Sequence, residues 1–164
     1  GVCGGYQMLG SAIHDPQGVE HGTPGSVRGL GLLPIETTFL PEKSRTRVQA
    51  TVTAGPLAGA RLDGYEIHMG RTEVKGGSFC VLENGEPDGC AQGSVWGTYL
   101  HGLFDSGELA QKLAELLCAR KGLAVEAAQA VPHAAYQQAQ LDLLAEGVRK
   151  ALDMDMIYRM MEEA

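Results

Sequence analysis

No uninterrupted apolar run in this sequence reaches the ~18 residues that a membrane-spanning helix needs, and no segment resembles a signal peptide. A basic excess is also missing. The 164 residues carry 13 Lys and Arg against 20 Asp and Glu, a formal charge of -7, and no basic stripe offsets it, which argues against nucleic acid as a partner. The short stretch KSRTR (Lys43–Arg47) reads as a solvated strand entry, not a binding patch. Four cysteines, Cys3, Cys80, Cys90 and Cys118, form no C-x-x-C pair, so neither a zinc site nor a thioredoxin-type redox site has support. Cys118 falls in an apolar helical pattern and reads as core. Cys80 and Cys90 flank a hairpin and could face each other; in a reducing cytoplasm they are expected to be free. There is no low-complexity tract, internal repeat or linker, and the chain is long enough for one domain with a sizeable core.

What is present is glycine, 23 residues of it, much of it in turn-like clusters. After Cys3, the spacing of Tyr6, Met8, Leu9 and Ile13 predicts a helix from Gly4 to Ile13, followed by a loop, HDPQGVEHGTPG. LGLLPIETTF, TRVQATVTA and DGYEIHMGRTEV read as strands. In the third, Tyr65, Ile67 and Met69 face one side and Glu66, His68 and Gly70 the other. FCVLENGEPDGCAQGSVWGTYLHGLF reads as three short strands with a turn at Asn84–Gly89, the last strand delivering His101 into a glycine turn. A helix follows with Ser106 as N-cap, Leu109, Leu113, Leu116 and Leu117 as its apolar face, and Gly122 as its stop. A second helix is predicted over Ala134–Ala151, and MDMIYRMMEE reads as a short amphipathic tail helix.

In G-x-C-G-G a strand turns sharply into a helix and exposes the corner side chain from a strained backbone, which makes Cys3 a candidate nucleophile at an elbow. The helix that follows favours a thiolate, and its first amides can donate to an oxyanion. A buried cysteine in a tight turn is the plainer reading. A phosphate-cradling loop would want a lysine that is absent. A thiol nucleophile needs a base, usually histidine. His14 and His21 lie in a polar loop and His133 follows Pro132 in a connection, where solvated histidines are expected. His101 differs, because it ends a strand, where sites lie in open α/β sheets. His68 either hydrogen-bonds a neighbour within its strand or lines the site.

Taken together, GVCGGYQMLG, DPQGVE, GYEIHMGRT, GTYLHGLFD and the tail LDMDMIYRMM resemble the glutamine amidotransferase domain of the cobyric acid synthase family, of cobalamin biosynthesis. The resemblance runs through essentially the whole chain. It implies a class I (triad) glutaminase with a flavodoxin-like α/β core, a mostly parallel sheet flanked by helices. It implies Cys3 as nucleophile and His101 as base, with Gly4, Gln7, Glu66 and His68 on the substrate, L-glutamine, and no cofactor or metal in this segment. Ammonia released through a γ-glutamyl thioester would serve a synthetase domain of the same chain, which uses ATP and Mg2+ to activate corrinoid carboxylates in the cytoplasm, with neither nucleic acid nor membrane as partner.

Two departures qualify that expectation. The wider class carries an acid two places after the histidine; here Leu103 stands there, as in this branch, and the orienting acceptor is left to a backbone carbonyl, a water or Glu66. The resemblance also implies that the family's domain starts upstream of Gly1: the strand feeding Cys3, earlier strands, a second oxyanion loop and the synthetase domain would lie outside this sequence, and the stretch alone is expected to be inactive. Competing readings are a cobyrinic acid a,c-diamide synthase or a peptidoglycan-amidating relative, a Cys–His hydrolase of similar fold, and a non-catalytic fragment.

Overall fold

The computed structural model describes residues 1–20, 22–42, 44–124, 131 and 133–162. His21, Lys43 and Pro132, singled out above, lie outside the described residues. The chain divides into two compact units, Gly1–Ala130 and Val131–Ala164.

The first unit opens on the turn at Cys3 and the helix α1, Gly4–Met8. This helix is shorter than its apolar spacing predicts, and Ile13 belongs instead to strand β1, Ala12–Asp15. The chain is diverted at Gly10, where a Cβ would sit 2.6 Å from the Ile35 carbonyl oxygen, and the Ser11 amide donates to that oxygen at 2.9 Å. A backbone bond to a neighbouring strand has overridden helical periodicity. Strands β2, Gly25–Arg28, and β3, Ile35–Thr38, flank β1. The loop between β1 and β2 is pinned by Asp15, whose carboxylate accepts from the amides of Val19 and Glu20.

Next come β4, Ser44–Val52, a single 3-10 turn at Gly55–Leu57, and β5, Arg61–His68. The stretch expected to be one strand from Asp63 to Val74 breaks at Met69–Gly70, and β6, Arg71–Val74, joins β3 in the other sheet. Gly70 sits close under Thr37 and Gln7, so the chain changes sheets where it has no side chain. The next segment holds β7, Cys80–Leu82; β8, Pro87–Asp88; β9, Cys90–Gln92; β10, Val95–Gly97; and β11, Leu100–His101. The expected turn is narrower than Asn84–Gly89, because Pro87 and Asp88 already pair with Val81 and Cys80.

One sheet runs β2-β1-β3-β6, a second β11-β5-β4-β7-β8, and β10-β9 form a ribbon. The α/β class is borne out, but the mostly parallel sheet is corrected. Among the described residues only β1 with β3 and a bridge from Val2 to Thr98 are parallel. The other strand pairs are antiparallel. The connections explain it: β9 and β10 are joined by Gly93 and Ser94 alone, with Gly93 at φ 59°, too short for the crossover that parallel neighbours need.

Two cores form. Ala50, Val52, Leu57, Leu62, Phe79, Leu100 and Leu109 make one, and Tyr6, Leu33, Ile35, Cys90 and Tyr99 the other. Helix α2, Glu108–Arg120, buries Leu109 and packs Leu113 and Leu116 on the first. Leu117, expected on that face, is 49% exposed, and Cys118 is only half-buried. Ser106 is not its cap: its hydroxyl donates to the Arg61 carbonyl at 3.1 Å, while Gly107 occupies the cap position in the left-handed region. The far end matches expectation. Gly122 has φ 66°, its amide reaches Ala119 and that of Leu123 reaches Cys118, the two bonds of a Schellman stop. All four cysteines are free, and Cys80 and Cys90 belong to different cores.

The second unit consists of α3, His133–Ala151, and α4, Met154–Glu162, both close to expectation and neither with a buried residue. Asp153 caps α4, its Oδ1 accepting from the Met156 amide at 3.0 Å. Among the described residues no helix is long and apolar enough to cross a membrane.

Candidate active site

Cys3 has φ 52° and ψ -117°, the positive φ of a non-glycine residue that is otherwise absent among the described residues. Such a conformation costs about 1–3 kcal/mol and persists only where neighbours enforce it. They do so here on both sides: the Cys3 amide donates to the Thr98 carbonyl at 3.0 Å, the Thr98 amide to Gly1 at 3.1 Å, and the Gly5 amide to Val2 at 2.9 Å. Beside Gly4 and Gly5 there is open space. The Gly4 amide, first in the helix, has no acceptor among the described residues.

The Cys3 thiol lies 3.6 Å from the Ile67 carbonyl at the wall of a cleft of about 510 Å³ that Gly4, Gln7, Glu20, Phe39, His68 and Met69 also line. Gln7 is buried, and its Nε2 donates to the Tyr99 hydroxyl at 3.2 Å. That hydroxyl also bonds Thr72 at 2.5 Å. His68 lies flat on the Tyr99 ring, centroids 3.8 Å apart. Its Nδ1–H donates to the Gly70 carbonyl at 3.0 Å, which leaves Nε2 as an acceptor. Burial lowers its pKa below the ordinary value, against the opposing bond to Gly70. His68 therefore both hydrogen-bonds a neighbour and lines the cleft, the two options its sequence context left open. It also lines a second cleft of about 520 Å³ with Arg71, Thr72, Asp88 and Tyr99.

His101 pairs with Tyr65 across β11 and β5, and their rings stack with centroids 5.0 Å apart and planes 6° apart. Its Nε2 is buried and has no hydrogen-bond partner among the described residues. His101 lies on β11, and Cys3 is tied to residues beside it: Thr98, which accepts from the Cys3 amide, is three residues before His101, and Ile67, which faces the thiol, is two residues after Tyr65. His101 is not among the residues that line the cleft of Cys3, and no hydrogen bond joins the two side chains among the described residues. Glu66 is elsewhere. It pairs with Leu100, a fully buried core residue, so it shares the Leu100 face, opposite Tyr65 and His101, and it does not line the cleft of Cys3. Burial raises its carboxyl pKa, and the nearby charges of Asp88 and Glu86 add to the shift. The strand's alternation thus groups Glu66 with His68 on the face opposite that of Tyr65 and His101.

Sequence reasoning missed Asp88. Read as a turn residue, it is 8% exposed. Its Oδ2 accepts from the Thr98 hydroxyl and, at 3.3 Å, from the Tyr99 amide, while Thr98 Oγ1 accepts from the Leu100 amide at 3.0 Å. This one carboxyl braces the strand between the contact to Cys3 and His101. Burial raises its pKa although these bonds oppose the shift. Burial, with Asp88 alongside, also pushes the Cys80 thiol up to about 12. His14 lies not in the loop but in β1, bonded to Ser26 at 2.9 Å, and His133 is exposed at the start of α3. Among the described residues no group of three His, Cys, Asp or Glu side chains is placed to hold a metal.

Residues 1–109 match the CobB/CobQ-like glutamine amidotransferase domain. The chain is 41% identical over 177 residues to a cobyric acid synthase of Ruminiclostridium cellulolyticum, covering 99% of this chain and 34% of that protein. It is 42% identical over 183 residues to one of Lachnoclostridium phytofermentans, with 99% and 35% covered. To one of Salmonella arizonae it is 43% identical over 176 residues, with 99% and 34% covered. The chain thus spans about a third of the length of the curated relatives it matches.

Proposed function

Because the chain belongs to the CobB/CobQ-like glutamine amidotransferase domain family, we propose that it is the glutaminase part of a cobyric acid synthase, releasing ammonia from glutamine for amidation of corrinoid carboxylates. Cys3 attacks the side-chain amide carbon. His101 takes the thiol proton through its unpartnered Nε2 and returns one to the leaving ammonia. The Gly4 amide donates to the oxygen that becomes negative, a contribution of about 10²–10³-fold for one such donor. Water then splits the γ-glutamyl thioester to give glutamate and restore the thiol. Gln7 and His68 hold the amino acid in the cleft. Glu66 is left out of this reading, since it faces away.

The strained backbone of Cys3 carries the proposal. A cysteine needed only for packing would gain nothing from a positive φ, and the open space beside Gly4 and Gly5 leaves room for a planar amide. The parallel bridge beside the elbow supports reading this region as one piece of a flavodoxin-like core. ATP and Mg2+ act in the synthetase part, and free thiols suit a cytoplasmic setting. The test is Cys3→Ala in a cobyric acid synthase carrying this domain. Glutamine-dependent amidation is expected to vanish while ammonia-dependent amidation persists. Undiminished use of glutamine would overturn the assignment.

A further inference from the structure

A catalytic imidazole needs something to hold it, usually a hydrogen bond from its second nitrogen to an acceptor. No hydrogen bond to either ring nitrogen of His101 is present among the described residues, neither from Glu66, on the other face of β5, nor from Asp63, on the face that Tyr65 and His101 share. What His101 has instead is a ring. We propose that Tyr65 is the positioning residue for His101, its stacked ring setting the plane of the imidazole in place of a carboxylate; this rests on the glutaminase reading. The strand register puts Tyr65 directly opposite His101. Gly64 holds β11 tight against β5, since a Cβ there would come 2.1 Å from the His101 carbonyl oxygen. With planes 6° apart and centroids 5.0 Å apart, the rings are in the offset-stacked arrangement that aromatic pairs favour. Tyr65 is 46% exposed and belongs to neither core, so packing gives no reason for an aromatic residue there.

The test compares Tyr65→Phe and Tyr65→Leu in a cobyric acid synthase carrying this domain. The carbon-bound protons of His101, assigned by their loss in His101→Gln, are read by NMR of histidine-labelled protein. They are expected upfield in the parent and in Tyr65→Phe, from the ring current of the stacked face, and at ordinary positions in Tyr65→Leu. Kinetically, Tyr65→Leu is expected to lower the glutamine-dependent kcat by about 10²-fold, the scale of a misplaced reacting group. KM and ammonia-dependent turnover should stay near the parent's, and Tyr65→Phe should restore kcat. Parent-like kcat in Tyr65→Leu, or an equal loss in Tyr65→Phe, would overturn the proposal. Failure of the glutaminase reading looks different: glutamine use would then survive Cys3→Ala, whatever the NMR reports.

Discussion

His68 and His101 stand at two places on the same strand pair and are held in opposite ways. His68, at the end of β5, is fixed by a hydrogen bond to Gly70 and by close stacking on Tyr99, a core residue that is itself tied to Gln7 and Thr72. His101, on β11, has a buried nitrogen without a partner among the described residues and a half-exposed ring against it. A histidine whose donor is already spent on the backbone is suited to accept from a ligand and stay still. One with an unspent buried nitrogen is suited to take and return a proton. The contrast teaches that the group left unsatisfied is the one available for chemistry.

The contrast breaks most sharply by deletion. His101→Ala is expected to cost about 10²–10⁴-fold in glutamine-dependent turnover, the value of a positioned base, with ammonia-dependent turnover unchanged. In the proposed reading His68 contributes a contact to the ligand, and His68→Ala is expected to cost about fivefold, the scale of one net hydrogen bond, chiefly in KM. Steady-state kinetics of the two variants side by side check both. A severe loss in His68→Ala with near-normal His101→Ala would mean that the roles are exchanged.

Asp88 sharpens the comparison from beneath, because it braces the segment that carries Tyr99 into β11 and His101. Asp88→Ala strands the Thr98 hydroxyl and the Tyr99 amide, at a cost of about 1–3 kcal/mol in unfolding free energy, measurable by denaturant titration. Both bonds go to one oxygen, so Asp88→Asn can keep them. The smaller effect is on pH. The folded carboxyl has a raised pKa and binds its proton more tightly than the unfolded one. Its contribution is therefore full below the unfolded value of about 3.9 and is lost as pH rises through the folded value. Asp88→Asn has no proton to lose there. Its stability should gain on the parent's as pH rises above about 4, and parallel curves for the two proteins would refute the buried carboxyl.

Both candidates for the chemistry were legible from local rules. A cysteine among glycines implies a backbone that only a tight turn adopts, and a histidine at a strand end implies a sheet edge. The stop of α2 at Gly122 was equally local. What was not legible depended on partners distant in sequence. Ile13 left the helical pattern because Ile35 offered Ser11 an acceptor. Ser106 has the chemistry of a cap but found Arg61 instead. Glu66 and His68 share a face by alternation, yet only the register with β11 reveals that this face is turned from His101. Asp88 sits in PDG, a turn signal, and nothing local says that its carboxyl is buried. Tyr65 had a signal that went unused: it is an aromatic residue on the exposed face of a strand, where nothing in the core requires one.

The central claim, that Cys3, at the cleft beside Gly4, is activated by His101, is tested most directly with a diazoketone analogue of glutamine, a reagent that must bind as the substrate does before it alkylates a thiolate. The enzyme is treated with it in the presence and absence of glutamine, and the adduct is mapped by peptide mass. Cys80 and Cys90 are buried, and burial raises both thiols, so background labelling within these 164 residues should be confined to half-buried Cys118. The account predicts an adduct on Cys3, protection by glutamine, and inactivation slowed about 10²-fold or more by His101→Ala but little by His68→Ala. An adduct elsewhere, or inactivation at Cys3 indifferent to His101, would contradict it.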